Sequence, residues 1–271
     1  MSEKTAVDLG SVQLTLLLPL WGRAIETKKA KPLLKDETAA EIINKIDYDF
    51  STVAASVKDV TQFEWICRSI HIDKAIREFL EKHPRATIVN VGCGLDTTFD
   101  RVDNGSLQWY ELDLPDVIEL RSKFIPETSR RKFIARSFLD DSWLNEIRVE
   151  DNILLIAAGV LYYLEEESLK EIFAKIACRF PSGEFIFDAA SPVGVKAANE
   201  KLLQKVGLDE RSFLKWPLQN AADIQKWNIR LEFVKEFPVY KGMKKGLPLR
   251  NKIICSVADH YKMMYMVHLK F

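Results

Sequence analysis

The sequence predicts an α/β domain whose sheet is mostly parallel. Three observations support this prediction: strand-like and helix-like patterns alternate from residue 86 onward, the run Ile153–Ala158 is apolar throughout, and another strand-like run ends in the glycine turn Gly92-Cys93-Gly94. Parallel strands need a helical crossover between them, and a strand covered on both faces is apolar at every position. The chain has 271 residues, 47% of them hydrophobic, which suffices for one such domain.

The elements follow in a regular order along the chain. Helical periodicity covers 38–46 and 61–82, and His83-Pro84 ends the second helix. The predicted strands cover 86–91, 107–113, 132–136, 153–158 and 184–188, and the predicted helices between them cover about 97–102, 115–123, 140–147 and 166–179. Two further strand-like runs, 231–237 and 261–271, have no predicted helix between them, so we expect an antiparallel hairpin at the end of the chain.

These patterns indicate a single domain in three parts. Residues 1–84 form an N-terminal helical cap segment, and 85–271 form the sheet domain. An insertion at about 190–230 separates the fifth predicted strand from the terminal hairpin. We expect this insertion to form a helical lid.

The glycine turn and an acid on the next strand predict a nucleoside-binding site. Gly92 and Gly94 lack side chains that would block a ligand, and glycine adopts positive φ angles easily. Asp113 lies 19 residues after Gly94, at the end of the next strand, from which a carboxylate can bind both hydroxyls of a ribose. Glu111 on the same strand is a second candidate, and Asp113 is favoured because the carboxyl ends of the strands face the ligand crevice.

The turn departs from the dinucleotide-binding pattern. Thr97 stands at the position of the third glycine, and Asp96 adds a negative charge. That charge would repel a pyrophosphate, so the turn favours a cofactor without phosphate groups.

Composition excludes several classes of partner. The chain has 39 Lys and Arg and 39 Asp and Glu, so no overall field attracts nucleic acid or an anionic membrane. The apolar run Val12–Leu20 is too short to span a membrane and lacks the features of a secretory signal. The cysteines show neither CxxC pairs nor metal-ligand spacing, which predicts free thiols, no metal site and a reducing, cytoplasmic location. They are Cys67, Cys93, Cys178 and Cys255.

Four segments carry a family resemblance. They are Arg68-Ser-Ile-His-Ile-Asp73, Val89-Asn-Val-Gly-Cys-Gly-Leu-Asp-Thr97, Trp109-Tyr-Glu-Leu-Asp-Leu-Pro-Asp-Val-Ile118 and Ala158-Gly-Val-Leu-Tyr-Tyr-Leu164. In content and order they resemble the leucine carboxyl methyltransferase superfamily, in particular its branch of tetracenomycin-type polyketide O-methyltransferases. The resemblance implies a class I, Rossmann-like methyltransferase fold with S-adenosyl-L-methionine as cofactor and an antiparallel seventh strand. It does not identify the methyl acceptor.

The same resemblance implies roles for individual residues. Arg68 would bind the methionine carboxylate of the cofactor, although from the sequence alone a surface ion pair with Glu64 is an alternative. Where relatives often have a glutamate at the end of the fourth strand, this chain has Ala158, and Asn90 replaces an acid common in class I enzymes. The residues that we assign to the cofactor site are Arg68, Gly92, Cys93, Gly94, Asp113 and Leu114, with Ser137 and Phe138 beside the adenine and Ala158 at the strand end.

The acceptor site is less clearly defined by the sequence. Aromatic residues in the insertion and Trp21 suit a flat, apolar or phenolic acceptor, with packing of a helical lid as the alternative. Those in the insertion are Phe213, Trp216 and Trp227, and Pro217 follows Trp216 directly. No residue has a diagnostic spacing for a general base, and the candidates are His260, Tyr162 and Tyr163.

The resemblance implies methyl transfer, and together with the aromatic residues it favours a hydroxyl of a small molecule, such as an aromatic or polyketide compound, as the acceptor. A carboxylate acceptor is an alternative, for which Arg211 and Lys215 would supply positive charge. Two other classes remain open from the sequence: a nicotinamide-dependent oxidoreductase, and a cofactor-binding protein without transferase activity. The oligomeric state is not predicted.

Overall fold

The computed structural model describes residues 5–6, 16–200 and 213–271. Its main sheet has seven strands in the order β5-β4-β3-β6-β7-β9-β8, and a two-residue parallel pair, β1 and β2, lies apart from it. The strands are β1 Thr5–Ala6, β2 Ile46–Asp47, β3 Thr87–Val91, β4 Gln108–Asp113, β5 Arg131–Ala135, β6 Ile153–Ala157, β7 Glu184–Ala189, β8 Glu232–Pro238 and β9 Tyr265–Lys270.

The strands from β5 to β7 are parallel, and β9 runs antiparallel between β7 and β8. The α-helices are α1 Leu17–Thr27, α2 Glu37–Lys45, α3 Ser51–Ser56, α4 Asp59–Leu80, α5 Thr98–Val102, α6 Pro115–Ser122, α7 Glu166–Arg179, α8 Pro192–Ala198 and α9 Leu249–His260. This topology confirms the predicted α/β class with its antiparallel last strand. None of the described helices combines the length and apolar character that crossing a lipid bilayer requires.

The central strands are buried on both faces. All five residues of β3 and all five of β6 are buried. On one face, Leu155 of β6 packs in a cluster with Phe173 of α7, and on the other, Ile88 of β3 packs in a cluster with Ile76 of α4. Burial on both sides explains why these strands are uniformly apolar in sequence, since no position faces water.

The prediction of a terminal hairpin without an intervening helix is wrong. Strands β8 and β9 do pair antiparallel, but α9 lies between them. The run Ile253-Ile254 and nearby Val257 are β-branched and partly or largely exposed, and Cys255 is the buried residue of the helix. The sequence of α9 therefore lacks the amphipathic pattern by which a helix is usually predicted. The predicted helix over 140–147 is a 3₁₀ turn, Asp141–Asn145.

The N-terminal segment brings apolar side chains to the carboxyl edge of the sheet. Leu17 and Leu20 of α1 pack in a cluster with Ile42 of α2, while Leu16 and Leu18 face a cavity at the sheet edge. The first residues of the apolar run, Val12 to Thr15, lie outside the described residues.

The described parts of the insertion belong partly to the core. Trp216 is buried in the cluster that covers β7, and its ring lies 6.3 Å from that of Phe187 and 5.7 Å from that of Trp227. The sequence could not separate this packing from a role in the acceptor site, because both use aromatic residues. Residues 201–212, including Arg211, lie outside the described residues.

Candidate active site

A cavity of about 330 Å³ opens at the carboxyl ends of β3, β4 and β6. Its wall contains every residue that we assign to cofactor binding from the sequence, together with Tyr162 and Tyr163. Those nine residues are Arg68, Gly92, Cys93, Gly94, Asp113, Leu114, Ser137, Phe138 and Ala158. In open parallel sheets, ligands bind in the crevice at this edge of the strands.

The glycine turn has the backbone conformation that its sequence favours. Gly92 and Gly94 have φ angles of 61° and 46°. A Cβ atom at Gly92 would lie 2.3 Å from Cγ2 of Val160, so no residue with a side chain fits at this position unless Val160 moves. Cys93 between them is buried, and burial raises the pKa of its thiol well above the usual value. Its thiol is therefore neutral and acts as a small apolar group rather than as a nucleophile.

The Asp113 carboxylate is held at the cavity by two backbone amides. Gly94 N donates to Oδ2 at 2.7 Å, and Leu114 N donates to Oδ1 at 2.8 Å. Burial raises the pKa of Asp113 although these two hydrogen bonds oppose the shift. Each carboxylate oxygen keeps a further lone pair for a ligand hydroxyl.

Glu111, the alternative acid, has a different environment. It is fully buried, forms an ion pair with Arg121 and accepts a hydrogen bond from Asn90 Nδ2 at 3.0 Å. The same amide donates to Asp96 Oδ2 at 3.1 Å. Asn90 thus links two carboxylates, a task that an acid at this position could not perform while ionised.

A stable negative charge lies next to the glycine turn. Burial alone would raise the pKa of Asp96, but the charges of Arg23 and Arg101 outweigh it and lower the pKa to about 2. Asp96 lines the cavity in its ionised form. This charge opposes a phosphate group at the turn, as expected from the sequence.

Arg68 is buried and does not form the surface ion pair with Glu64 that its spacing suggested. Its Nη1 donates to Asp188 Oδ2 at 2.8 Å and lies 3.4 Å from the hydroxyl of Tyr162. Asp188 Oδ1 also accepts from Gly159 N at 2.7 Å, which fixes the turn after β6. Among the described residues, Nη2 of Arg68 has no hydrogen-bond acceptor, so this edge of the guanidinium is available to a ligand.

Asp188 holds Arg68 at the cavity, a contact that the sequence did not predict. It ends the apolar run of β7, and an acid at the carboxyl end of a predicted strand was the available signal. Its partners Arg68 and Gly159 are 120 and 29 residues away in the chain. A contact over such distances has no local pattern in the sequence.

The side of the cavity away from the sheet is mostly apolar. Leu18, Leu214 and Met264 contribute to its wall, together with Tyr162 and Tyr163. Burial raises the pKa of Tyr162 well above the usual value, with a smaller opposing effect from Arg68. The Tyr162 phenol is therefore a hydrogen-bond donor at neutral pH and is unsuited to act as a base.

The other predicted contributors to the acceptor site lie elsewhere. His260 ends α9 in a separate surface depression with Ile253 and Val257. Trp21 packs against Leu18 and Trp65, outside the set of cavity residues. Among residues 5–6, 16–200 and 213–271, no group of three His, Cys, Asp or Glu side chains could hold a metal ion.

Comparison with known proteins identifies relatives of this chain. The family model for leucine carboxyl methyltransferase matches residues 17–177, more than half of the chain. The tetracenomycin polyketide synthesis O-methyltransferase TcmP of Streptomyces glaucescens is 34% identical over 203 residues, 74% of each chain. The S-adenosyl-L-methionine-dependent methyltransferase dpfgK of Gibberella zeae is 28% identical over 210 residues, 70% of each chain.

A solved structure matches the fold over almost the whole chain. The crystal structure of a DUF574 family protein from Streptomyces avermitilis has a TM-score of 0.58, with 94% of this chain and 96% of that chain covered. At 12% identity this similarity concerns the fold alone.

Proposed function

This chain belongs to the leucine carboxyl methyltransferase family and is an S-adenosylmethionine-dependent methyltransferase, and we propose that it methylates a hydroxyl group of a small, largely apolar molecule. The observation that carries the proposal is the single cavity wall shared by the nine cofactor residues and the apolar side chains beyond them. A methyl donor and an acceptor must meet in line, and one cavity with two chemically different sides allows this.

The residues of the cavity fit the proposed cofactor. Asp113 would accept hydrogen bonds from both ribose hydroxyls, and Arg68 would bind the methionine carboxylate through Nη2 while Asp188 holds Nη1. Ser137 and Phe138 would lie beside the adenine. The negative charge of Asp96 is compatible with a cofactor that carries no phosphate and a positive sulfonium.

The protein contributes positioning and exclusion of water more than acid-base chemistry. The bound cofactor supplies a methyl group already activated by its sulfonium charge. The apolar wall formed by Leu18, Leu214 and Met264 would keep water from the acceptor. Tyr162, kept protonated by burial, would donate a hydrogen bond that orients a polar group in the cavity.

A hydroxyl acceptor fits the described wall better than a carboxylate. The cationic residues of the wall are Arg23 and Arg68, and both are paired with buried aspartates. Lys215, which a carboxylate acceptor would need, is half-exposed and pairs with Glu165 at 3.2 Å. The Streptomyces relative is named as an O-methyltransferase of polyketide synthesis, which also favours an aromatic or polyketide hydroxyl.

Methyl transfer from labelled S-adenosylmethionine to matched acceptor pairs tests this proposal. Each pair would consist of a phenol and the benzoic acid of the same ring system. We expect label in the ether product of at least one phenol and none in the corresponding ester. The Asp113→Asn variant controls for transfer by a contaminant, since its activity should fall at subsaturating cofactor. Labelled esters without ethers would contradict the hydroxyl assignment.

A further inference from the structure

A second charged side chain of α4, that of Glu64, lines the cavity beside Arg68. Glu64 precedes Arg68 by four residues, so both side chains lie on one face of the helix, and both line the cavity. The hydroxyl of Tyr240 donates a hydrogen bond to Glu64 Oε2 at 3.2 Å, and Tyr240 is 1% exposed. Among the described residues, Oε1 of Glu64 has no donor.

Glu64 differs from the other carboxylates of the cavity wall because, among the described residues, it forms no ion pair and accepts no backbone hydrogen bond. Asp96 is neutralised by two arginines, and Asp113 accepts from two backbone amides. Arg68 forms its ion pair with Asp188, and no ion pair among the described residues includes Glu64. A carboxylate partly removed from water without an ion-pair partner is costly, and in a cavity such a group marks a place for a positively charged ligand.

The charged groups around Glu64 also favour a positively charged ligand at this position. Burial raises its pKa to about 7, although the charge of Arg68 and the hydrogen bond from Tyr240 oppose the shift. The titratable and charged groups that act on it come from α4, β7, α9 and the segments after β6 and β8: Arg68, Cys67, Asp188, Asp259, Cys255, Tyr162 and Tyr240. Arg68 is the only cation among these groups, and it is already paired.

We propose that Glu64 binds the α-ammonium group of the cofactor's methionine moiety, while Arg68 binds the carboxylate of the same moiety. In the methionine moiety the ammonium and the carboxylate are bonded to the same carbon atom. Two oppositely charged side chains four residues apart on a helix can bind these two groups at once. At the end of β6 the cavity wall has the methyl group of Ala158, so that strand end supplies no carboxylate side chain. This inference rests on the function proposed above.

Calorimetry with two ligands distinguishes binding of the ammonium group by Glu64 from a structural role of this residue. S-adenosylhomocysteine carries the ammonium and carboxylate, whereas 5′-methylthioadenosine keeps the nucleoside and sulfur but lacks both. We expect Glu64→Gln to weaken S-adenosylhomocysteine about 10- to 30-fold, typical of a charge-assisted hydrogen bond, and to leave methylthioadenosine within about twofold. Glu78→Gln, on an exposed part of the same helix, should change neither.

The wild-type protein gives an independent readout. An ammonium beside Glu64 stabilises the ionised carboxylate, so binding of S-adenosylhomocysteine near pH 7 should release about half a proton, since its pKa is about 7 in the free protein. The affinity should therefore rise from pH 6 to pH 7.5. Methylthioadenosine should release no proton from the wild type, and Glu64→Gln should abolish the release that accompanies S-adenosylhomocysteine binding.

Other outcomes would overturn the inference. Equal loss of both ligands in Glu64→Gln would indicate a structural role. A lower turnover with unchanged affinity would place Glu64 at the acceptor. If the variant does not fold, equal proton exchange of the wild type with the two ligands decides against the inference. Failure of the wild type to bind either ligand would instead overturn the proposed function.

Discussion

The two sides of the cavity are built by different means. On the sheet side, formed by Gly92, Gly94, Asp113 and Ala158, strand ends and a tight turn fix the groups through backbone hydrogen bonds. On the outer side, helix α1 and the segments after β6, α8 and α9 contribute Leu18, Tyr162, Leu214 and Met264. The sheet side is rigidly specified by backbone geometry, whereas the outer side depends on side-chain size. Substitutions on the outer side would therefore change the shape of the cavity without disturbing the backbone that forms the sheet side.

The largest expected effect tests the rigidity of the sheet side. Gly92→Ala places a methyl group at a positive φ and against Val160, whereas Gly105→Ala has a similar φ of 81° with no atom within 4 Å. We expect Gly105→Ala to lower the free energy of unfolding by about 1 kcal/mol and Gly92→Ala by about 3 kcal/mol or more. Urea unfolding measures both variants.

A further substitution separates the clash from the backbone strain. In Gly92→Ala/Val160→Ala the clash is relieved and the φ strain remains, so the difference between the two glycine variants should shrink. If Gly92→Ala and Gly105→Ala are equally stable, the turn at Gly92 can rearrange to accommodate a methyl group, contrary to the prediction.

The next effect concerns the polar group of the sheet side. Asp113→Asn keeps an oxygen for one backbone amide but loses the negative charge and one acceptor. We expect S-adenosylhomocysteine binding to weaken by about 1.5–3 kcal/mol, the range for hydrogen bonds to charged groups. Calorimetry measures it, with Glu119→Gln on the exposed face of α6 as control. An unchanged dissociation constant in a folded variant would remove Asp113 from the ribose site.

The same contrast explains what could be predicted from the sequence. The first five strands of the sheet were predicted within about two residues, because each depends on a short contiguous pattern. The glycine turn and Asp113, chosen from similar short patterns, lie in one cavity wall. The contacts of Asp188 with Arg68 and of Glu64 with Tyr240 were not predicted, because these partners meet only after folding. Local periodicity carries no information about such contacts.

The outer side was poorly predicted for a second reason. Aromatic residues serve core packing and ligand binding equally well, so composition could not distinguish Trp216 and Trp227, which pack on the core, from Tyr162, which lines the cavity. Helix α9 was missed because its exposed apolar residues resemble a strand. For residues of the outer side, the residue type gives the size of the side chain but does not show whether that side chain packs in the core or lines the cavity.

A pair of adjacent leucines tests whether the outer side affects the acceptor separately from cofactor binding and from protein stability. Leu18 lines the cavity, whereas Leu17 packs in the cluster between α1 and α2. We expect Leu18→Ala to lower kcat/KM for the acceptor by about 1–2 kcal/mol in transition-state free energy, with S-adenosylhomocysteine affinity nearly unchanged. Leu17→Ala should instead lower the free energy of unfolding by about 2–4 kcal/mol. Equal effects of both variants on acceptor kinetics would show that α1 acts only as scaffold.

The smallest effect is expected at Cys93, although it lies within the glycine turn. Its buried thiol has a raised pKa, so it is neutral and donates no charge to the site. Cys93→Ala removes one sulfur atom from a packed position and should lower the free energy of unfolding by about 1 kcal/mol. Turnover and S-adenosylhomocysteine affinity should stay within about twofold, since the cofactor contacts that we propose at this turn come from the backbone and from Asp113. Cys178→Ala, at an exposed position, is the matched control. A loss of turnover in Cys93→Ala alone, at unchanged cofactor affinity, would mean that the sheet side supplies a reactive group as well as a rigid frame.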